Sequence, residues 1–299
     1  MDKIIRCITS DGSIMASAIT GTNIVATAQQ VHRLSPVATA ALGRLLTGAS
    51  LMGAQLKQRR AALTVRIKGD GPLGVMVASA TSDGNVRGFV GNPNCETEYY
   101  ENGHINVGKA VGSNGTLYVV RDYGTGEPYT GVIELVSGEI AEDITSYYAN
   151  SEQIPTVCAL GVLLDKQDGA LLLAGGMLIQ LLPGATQDIC DKLEANIKKL
   201  ESVTTMMAKG MAPLDMCKSA LEGFELEVLD EMPVHYYCTC SRQRVEQSFA
   251  SIPDDQLRGM INSTGNVEAV CHYCNKKYLF TAKEIEDFIK ERKERSKAK

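Results

Sequence analysis

The sequence predicts an α+β protein with three parts: an N-terminal domain of mixed sheet and helix, a helical linker, and a small C-terminal module held by cysteines. Three observations carry this. Apolar residues alternate with period two in several short runs bounded by Gly/Asp turns, and between those runs lie stretches of helical period. Composition changes after Pro183-Gly184, where the pattern becomes helical and charged. Four cysteines then fall in two close pairs near the end of the chain, Cys238-Thr239-Cys240 and Cys271-His272-Tyr273-Cys274.

The N-terminal elements follow in order. Ile4, Arg6 and Ile8 alternate with Ile5 and Cys7, which predicts a strand over 3–8. Asp11-Gly12 signals a turn and Ile14–Ile19 a returning strand. Asn23 is the expected cap of a helix running to about Arg33. Ser35-Pro36 opens a longer helix, with Ser35 as N-cap and Pro36 in the first turn. Val37, Ala41, Leu45, Ala49, Met52 and Leu56 give that helix one expected buried face. Strands are expected at 62–68, 73–80 and 85–90, joined at Gly69-Asp70-Gly71-Pro72 and Ser82-Asp83-Gly84. Those glycines fit hairpin turns; a phosphate-binding P-loop would need a following lysine and hydroxyl, which are missing. Further strands are expected at 116–121 and 131–135, a helix at 139–149, and two buried strands at 156–165 and 170–180 around Asp168-Gly169. The domain is expected to span residues 1–184.

Residues 185–233 form the expected linker. Ile189, Leu193, Ile197, Leu200 and Val203 recur at helical spacing, predicting one helix that ends near Met206-Met207. Lys209-Gly210 breaks it, and a second helix runs from Pro213 to Leu221. Met206, Met207, Met211 and Met216 cluster here. Methionine packs adaptably and recurs on surfaces that accept varied partners, so the face suits ordinary packing on a neighbouring domain, client binding, or both in turn.

The last part, 234–299, has too few residues for a large free-standing core, so a metal staple is physically expected. Tyr236, Tyr237, Phe249, Tyr273, Tyr278 and Phe280 are candidates to pack around it. Thr281 is the expected cap of a final helix with Ile285, Phe288 and Ile289 on one face, and Arg292–Lys299 reads as a frayed tail. Thirty residues separate Cys240 from Cys271. Two thiolate pairs joined by such a loop form the ligand set of a closed structural zinc site, with no open position for a catalytic water. The candidate metal ligands are therefore Cys238, Cys240, Cys271 and Cys274. His235 and His272 flank the cage, but four thiolates already complete a tetrahedron. The one-residue spacer of the first pair also allows a strained, labile disulfide. A permanent zinc staple and a redox switch that expels the metal both fit the spacing.

Composition excludes several classes. The chain has 299 residues, a net charge of −5 and no tryptophan, which argues against a general polyanion-binding surface or a wide base-stacking platform. The N-terminus has no apolar signal region, and the run Ala170–Leu182 is too short to span a bilayer, so a soluble intracellular chain is expected. Cys7, Cys95, Cys158, Cys190 and Cys217 read as small buried hydrophobes. His32 and His104 stand alone, and neither paired carboxylates nor a Ser/His/Asp elbow is evident, so no enzyme is expected. A zinc-ribbon nucleic-acid binder remains an alternative, since 234–299 carries twelve Lys/Arg against nine Asp/Glu. So does a dithiol oxidoreductase using Cys271 and Cys274, although the four-cysteine cage argues against it.

Over essentially its whole length the chain resembles the thirty-three-kilodalton heat-shock protein family, the redox-regulated holdase chaperones. The C-x-C and C-x-x-C pairs about thirty residues apart carry the resemblance together with four runs: Ser35–Arg44, Lys68–Gly74, Val136–Thr145 and Ser151–Thr156. Residues 185–233 contribute less to it. The resemblance implies an α+β domain, a helical linker and a zinc-binding module with one zinc per chain in the reduced form. It implies a cytoplasmic, ATP-independent chaperone for unfolded client proteins, inactive when reduced. It further implies that oxidation pairs Cys238 with Cys240 and Cys271 with Cys274, releases zinc, unfolds the linker and yields active homodimers. No membrane or specific nucleic-acid partner is implied.

Overall fold

The computed structural model describes residues 1–101 and 103–297, and the chain divides into two compact units, Met1–Tyr237 and Cys238–Lys299. In the first unit the order is β1 (Lys3–Thr9), β2 (Ile14–Thr20), α1 (Thr22–His32), α2 (Pro36–Gly53), β3 (Ala62–Lys68), β4 (Val75–Thr81) and β5 (Val86–Val90). There follow α3 (Val107–Val111), β6 (Thr116–Asp122), β7 (Tyr129–Glu134), α4 (Ala141–Tyr147), β8 (Thr156–Leu164) and β9 (Leu171–Leu181). The unit ends with α5 (Gln187–Ile197), α6 (Val203–Ala208), α7 (Pro213–Ala220) and β10 (Leu226–Pro233).

The strands make two antiparallel five-stranded sheets, β10-β1-β2-β9-β8 and β5-β4-β3-β6-β7. Helix α2 lies between them, packed on β3, β4 and β5 of one and β2, β8 and β9 of the other. Ser35 caps it as expected, its side chain accepting the Ala38 N–H at 3.2 Å, with Pro36 at the first position. The expectation of one buried face is corrected. Every residue of α2 except Pro36 and Arg44 is buried, because sheets cover it on both sides. Pro36–Ala54 is long and apolar enough to cross a membrane, but it is 94% buried as a core helix. Its glycines let neighbours approach: a Cβ on Gly43 would stand 2.8 Å from Val25 and 2.9 Å from Val162.

Asn23 does not cap α1. It lies inside the helix, and the cap comes from Asp2, whose carboxylate accepts the Ile24 N–H at 2.7 Å and the Asn23 side-chain amide at 3.1 Å. The Gly69–Pro72 stretch joins β3 to β4, as the turn reading expects. It needs glycine for another reason too, since a Cβ on Gly69 would meet the Val111 carbonyl at 2.1 Å. Before α4, buried Asp143 accepts the backbone N–H groups of Val136 (2.7 Å), Ser137 (3.2 Å) and Ile140 (3.1 Å). That carboxylate satisfies otherwise orphaned donors and fixes the turn into the helix.

The segment after Gly184 packs on the outer face of the first sheet. The single helix expected over 189–207 is two, because the chain breaks at 198–202 and Ser202 caps α6, accepting the Thr205 N–H at 3.2 Å. Leu193, Val203, Met206, Met216, Cys217 and Leu221 bury themselves against Ile5, Cys7, Ile14, Ala16, Met177 and Ile179. The helices have 11, 6 and 8 residues. Each is shorter than the roughly 12–15 residues at which an isolated helix becomes even marginal, so they persist by docking. The stretch expected to complete a helical linker ends instead in strand β10, zipped to β1. Arg6 binds the Asp230 carboxylate through two nitrogens, and Lys3 meets Glu231 at 2.9 Å.

The second unit holds α8 (Arg242–Ser248), a 3-10 turn at Phe249–Ser251, α9 (Asp254–Gly259), the hairpin β11 (Asn266–Val270) and β12 (Lys277–Thr281), and α10 (Ala282–Lys297). Its core is Phe249, Leu257, Val267, Tyr278, Phe280, Ile285 and Ile289, with Phe249 edge-on to Phe280 at 4.9 Å. Thr281 and Glu284 cap α10 reciprocally, through Thr281 N–H to Glu284 at 2.8 Å and Glu284 N–H to Thr281 at 3.3 Å. The frayed tail expected from Arg292 is corrected as far as Lys297, which is helical; Ala298 and Lys299 lie outside the described residues. Arg292 ties the helix down by donating to the carbonyls of Phe249 (3.0 Å) and Ile252 (2.7 Å) and pairing with Asp254. Tyr236, expected in this core, belongs to the first unit, where its hydroxyl donates to the Gly88 carbonyl at 2.8 Å.

Candidate metal centre

Each cysteine pair is presented by a short, locally determined piece of chain. Cys238 and Cys240 lie on the segment entering α8. Ser241 caps that helix by accepting the Arg244 N–H at 3.2 Å, and Arg244 in turn donates to the Thr239 carbonyl at 3.0 Å. Cys271 and Cys274 occupy the turn between β11 and β12. There Cys271 N–H donates to the Lys276 carbonyl (3.0 Å) and Asn275 N–H to the Cys271 carbonyl (2.8 Å). Asn275 adopts φ 56°, a left-handed conformation that Asn tolerates better than most residues. The turn therefore folds back on itself and points both sulfurs the same way.

The four sulfurs lie within 4.8 Å of one another, and they are the one group among the described residues placed to hold a metal ion. Cys238 Sγ is 3.7 Å from Cys271 Sγ, and Cys240 Sγ is 3.4 Å from Cys274 Sγ. A tetrahedral zinc–sulfur site with ~2.3 Å bonds has sulfur–sulfur edges of about 3.8 Å, so the geometry fits such an ion. All four residues are half-buried. His272 is not among the clustered donor atoms, and His235 belongs to the first unit.

The polar surroundings differ from one sulfur to the next. Burial pushes the Cys238 and Cys274 thiols up. Burial also opposes ionisation of Cys240, but hydrogen bonds from Tyr278 and the other three cysteines outweigh it and bring that thiol down to about 7. The Tyr278 hydroxyl lies 3.0 Å from Cys240 Sγ. This partner was not legible in the sequence, where Tyr278 reads only as a packing aromatic. Its place opposite Cys240 comes from the β11–β12 register, which sets Tyr278 across from Ala269.

The cysteines outside the cage divide. Cys7, Cys95 and Cys217 are buried as expected, whereas Cys158 and Cys190 are only partly so. His32 is hydrogen-bonded to the Tyr236 hydroxyl at 3.1 Å, a structural contact.

A compact sulfur cage in a small unit, joined to a two-sheet domain around a buried helix, defines a specific architecture. The family model described as "Hsp33 protein" matches residues 2–281. The chain belongs to the Hsp33 family. It is 43% identical over 290 residues to the 33 kDa chaperonin of Clostridioides difficile, covering 97% of this chain and 99% of that one. It is 41% identical over 286 residues to the 33 kDa chaperonin of Bacillus subtilis, covering 96% and 97%. Among solved structures, the 33 kDa chaperonin of Thermotoga maritima superposes with a TM-score of 0.87 at 34% identity, covering 96% of this chain and 97% of that one. The α+β architecture expected from the sequence is thus that of an Hsp33 protein, and the expectation of a chaperone agrees with the names these relatives carry.

Proposed function

We propose that the protein is an ATP-independent holdase chaperone, switched by oxidation, that keeps unfolding client proteins from aggregating in the cytoplasm. The four cysteines Cys238, Cys240, Cys271 and Cys274 would hold one zinc ion; bound there, zinc keeps the sulfurs as thiolates and closes a unit whose own core is small. An oxidant such as peroxide converts one thiolate to a sulfenic acid, and the neighbouring sulfur then displaces hydroxide from it, forming a disulfide. The pairs formed are Cys238–Cys240 and Cys271–Cys274, which consumes the ligand set. Residues 234–299 act as the sensor, 185–233 as a metastable linker and 1–184 as the chaperone core, and the oxidised form is a homodimer.

The observation that carries this reading is the packing of three short helices on an otherwise exposed apolar sheet face. If the linker leaves, aliphatic surface on both the sheet and the helices becomes available to clients. The nucleic-acid alternative gains little, because many of the module's cations are spent on its own acids: Arg242 on Glu284, Arg258 on Glu286, Lys277 on Glu268, and Arg292 and Lys293 on Asp254.

The test is peroxide treatment at mild heat, with released zinc read by a chromogenic chelator, free thiols counted, and light scattering of an unfolding client followed in one sample. Loss of zinc and four thiols as scattering is suppressed is the expected result. Zinc loss without suppression would overturn the client-binding role, and retained zinc would overturn the switch.

A further inference from the structure

Strand β5 is an edge of the second sheet, and residues 234–237 lie along it as a strap. An edge strand carries a row of N–H and C=O groups that a further extended chain can pair. Here the protein supplies that chain itself, running parallel to β5. Val86 N–H donates to the His235 carbonyl at 3.0 Å, and Tyr237 N–H donates to the Val86 carbonyl at 2.9 Å. By the alternation of the ladder the next residue facing outward is Gly88, since Arg87 and Phe89 face β4. Backbone pairing stops short of it. Instead the Tyr236 hydroxyl meets both its groups, donating to the Gly88 carbonyl at 2.8 Å and accepting its N–H at 3.4 Å. One side-chain oxygen thus stands in for the two backbone groups that a continuing strand would bring.

The strap's side chains alternate between inside and outside. Val234 is fully buried, His235 is exposed and Tyr236 is half-buried. Val234 seats against Gly84, where a Cβ would stand 2.7 Å from Val234 Cγ1. The Tyr236 hydroxyl also reaches His32 Nε2 on α1 at 3.1 Å. The edge therefore has both features by which a sheet takes up a peptide as an added strand: main-chain groups that give affinity, and recesses for alternate side chains.

We propose that the β5 edge is a client site, which takes an extended segment of an unfolding protein by strand addition, and that residues 234–237 occupy it in the resting chain. The choice of occupant rests on the holdase reading above. That reading sets loose both neighbours of the strap in the chain, β10 before it and the cage that begins at Cys238 after it. What then holds the strap to β5 is two backbone bonds and the Tyr236 hydroxyl, with the seat of Val234 beside them. A longer extended segment pairs Val86 and Gly88 by backbone alike, so it replaces the hydroxyl with main-chain bonds. Main-chain pairing depends little on sequence, which suits clients of varied sequence. A client with a β-branched residue two places before an aromatic fills the recesses that Val234 and Tyr236 vacate.

The experiment uses the full chain, reduced or treated with hydrogen peroxide at mild heat, and reads residue-resolved hydrogen exchange and peptide binding. The probe is a fluorescent synthetic peptide with the sequence of residues 232–237. A second copy of the probe is N-methylated at its last residue, which removes the donor to the Val86 carbonyl. On oxidation the Val86 and Gly88 amides should lose protection and regain it with the probe, while Arg87 and Phe89 stay protected throughout. The probe should bind the oxidised chain several-fold tighter than the reduced one, and N-methylation should weaken it by about ten-fold. Tyr236→Ala loosens the strap without an oxidant, so the reduced variant should bind the probe too. The exchange arm needs no variant, so it stands even if that substitution unfolds the chain. An oxidised chain that suppresses client aggregation with Val86 and Gly88 still protected and no probe bound would overturn the site and leave the holdase reading standing. Binding indifferent to N-methylation would overturn strand addition. Protection that returns with rising protein concentration, the probe unbound, would assign the edge to a second copy of the chain and overturn the client site. Probe binding by the reduced variant, with no form suppressing aggregation, would support the edge and count against the holdase reading alone.

Discussion

The sulfurs of Cys240 and Cys274 stand 3.4 Å apart although 34 positions separate them in the chain. No sheet, and no helix longer than seven residues, links the two segments directly; the intervening chain wraps a core of seven buried side chains. Metal binding to a four-cysteine site supplies roughly 10–16 kcal/mol of apparent free energy in small peptides at neutral pH. That is on the scale of a whole domain's stability, about 5–15 kcal/mol. Cys274→Ser should therefore lower bound zinc from about one per chain to near none and unfold residues 238–297 while the first unit stays folded. Zinc analysis combined with limited proteolysis checks this. A folded, protease-resistant second unit in the variant would show that its core suffices.

Tyr278 supports the cage from outside it. Its hydroxyl, 3.0 Å from Cys240 Sγ, stabilises charge on that sulfur. Losing such an outer contact typically costs 10–100-fold in metal affinity. Tyr278→Phe keeps the ring in the core, so a competition titration should show zinc affinity about 10-fold weaker with the fold unchanged. In the metal-free protein, the pH midpoint of Cys240 alkylation should rise from about 7 toward the ordinary thiol range. An unmoved midpoint would mean that the other three cysteines do the work.

The elements most legible in the sequence were those whose determinants are local. Ser35 and Pro36 mark the start of α2, Thr281 and Glu284 the start of α10, and the two cysteine pairs locate the cage. What could not be read depends on residues far apart in the chain. Asp2 caps α1 from a position 22 residues before Ile24. The all-round burial of α2 reflects two sheets that no helical period reveals. Strand β10 is rich in acids and offers little β signal alone; it is a strand where its backbone pairs with β1, and Arg6 and Lys3 there meet Asp230 and Glu231.

The Arg6–Asp230 pair gives β10 a dependence on acid. Its hydrogen bond with Arg6 holds the Asp230 carboxyl below the usual carboxylate range, against burial. A depressed carboxylate contributes stability above its unfolded value of about 3.9 and loses that contribution as pH falls through its lower folded value. The pair is partly exposed, at 25% and 35%, so after solvent screening its worth is about 1 kcal/mol or less. Protection factors of the β10 amides in hydrogen exchange should fall below about pH 4, and Asp230→Asn should show the lower protection already at neutral pH. Equal protection in the two proteins at pH 7 would show that backbone pairing alone holds the strand.

Two glycines of α2 should respond oppositely to alanine. At Gly43 a new Cβ meets Val25 Cγ1 at 2.8 Å and Val162 Cγ2 at 2.9 Å, and both blockers are stiff β-branched side chains. Overpacking there costs about 1–3 kcal/mol, more than the ~1 kcal/mol that alanine gains in a helix. At Gly48 the nearest atom is Ile144 Cδ1 at 2.8 Å, the terminal methyl of a longer side chain that turns about a second torsion valine lacks. Gly43→Ala should lower the denaturation midpoint of the first unit, and Gly48→Ala should leave it nearly unchanged or raise it. Equal losses at both sites would mean that Ile144 is as immobile as the valines.

Met216 tests the linker without any oxidant. Its side chain, at 0% exposure, lies between α7 and the first sheet. An unpaired carboxylate there would be expelled rather than buried, since an isolated charge in an apolar layer costs more than the docking of one short helix returns. Met216→Asp should therefore release α7 while Cys238, Cys240, Cys271 and Cys274 remain reduced. The two sheets keep their own core around α2, so the first unit should retain its strands. Proteolysis should become fast within 185–233, and under the proposed holdase switch the reduced variant should suppress client aggregation more than the reduced unsubstituted protein. A released linker with no suppression would separate undocking from client binding, and the client surface would then have to lie elsewhere than the face α7 covers.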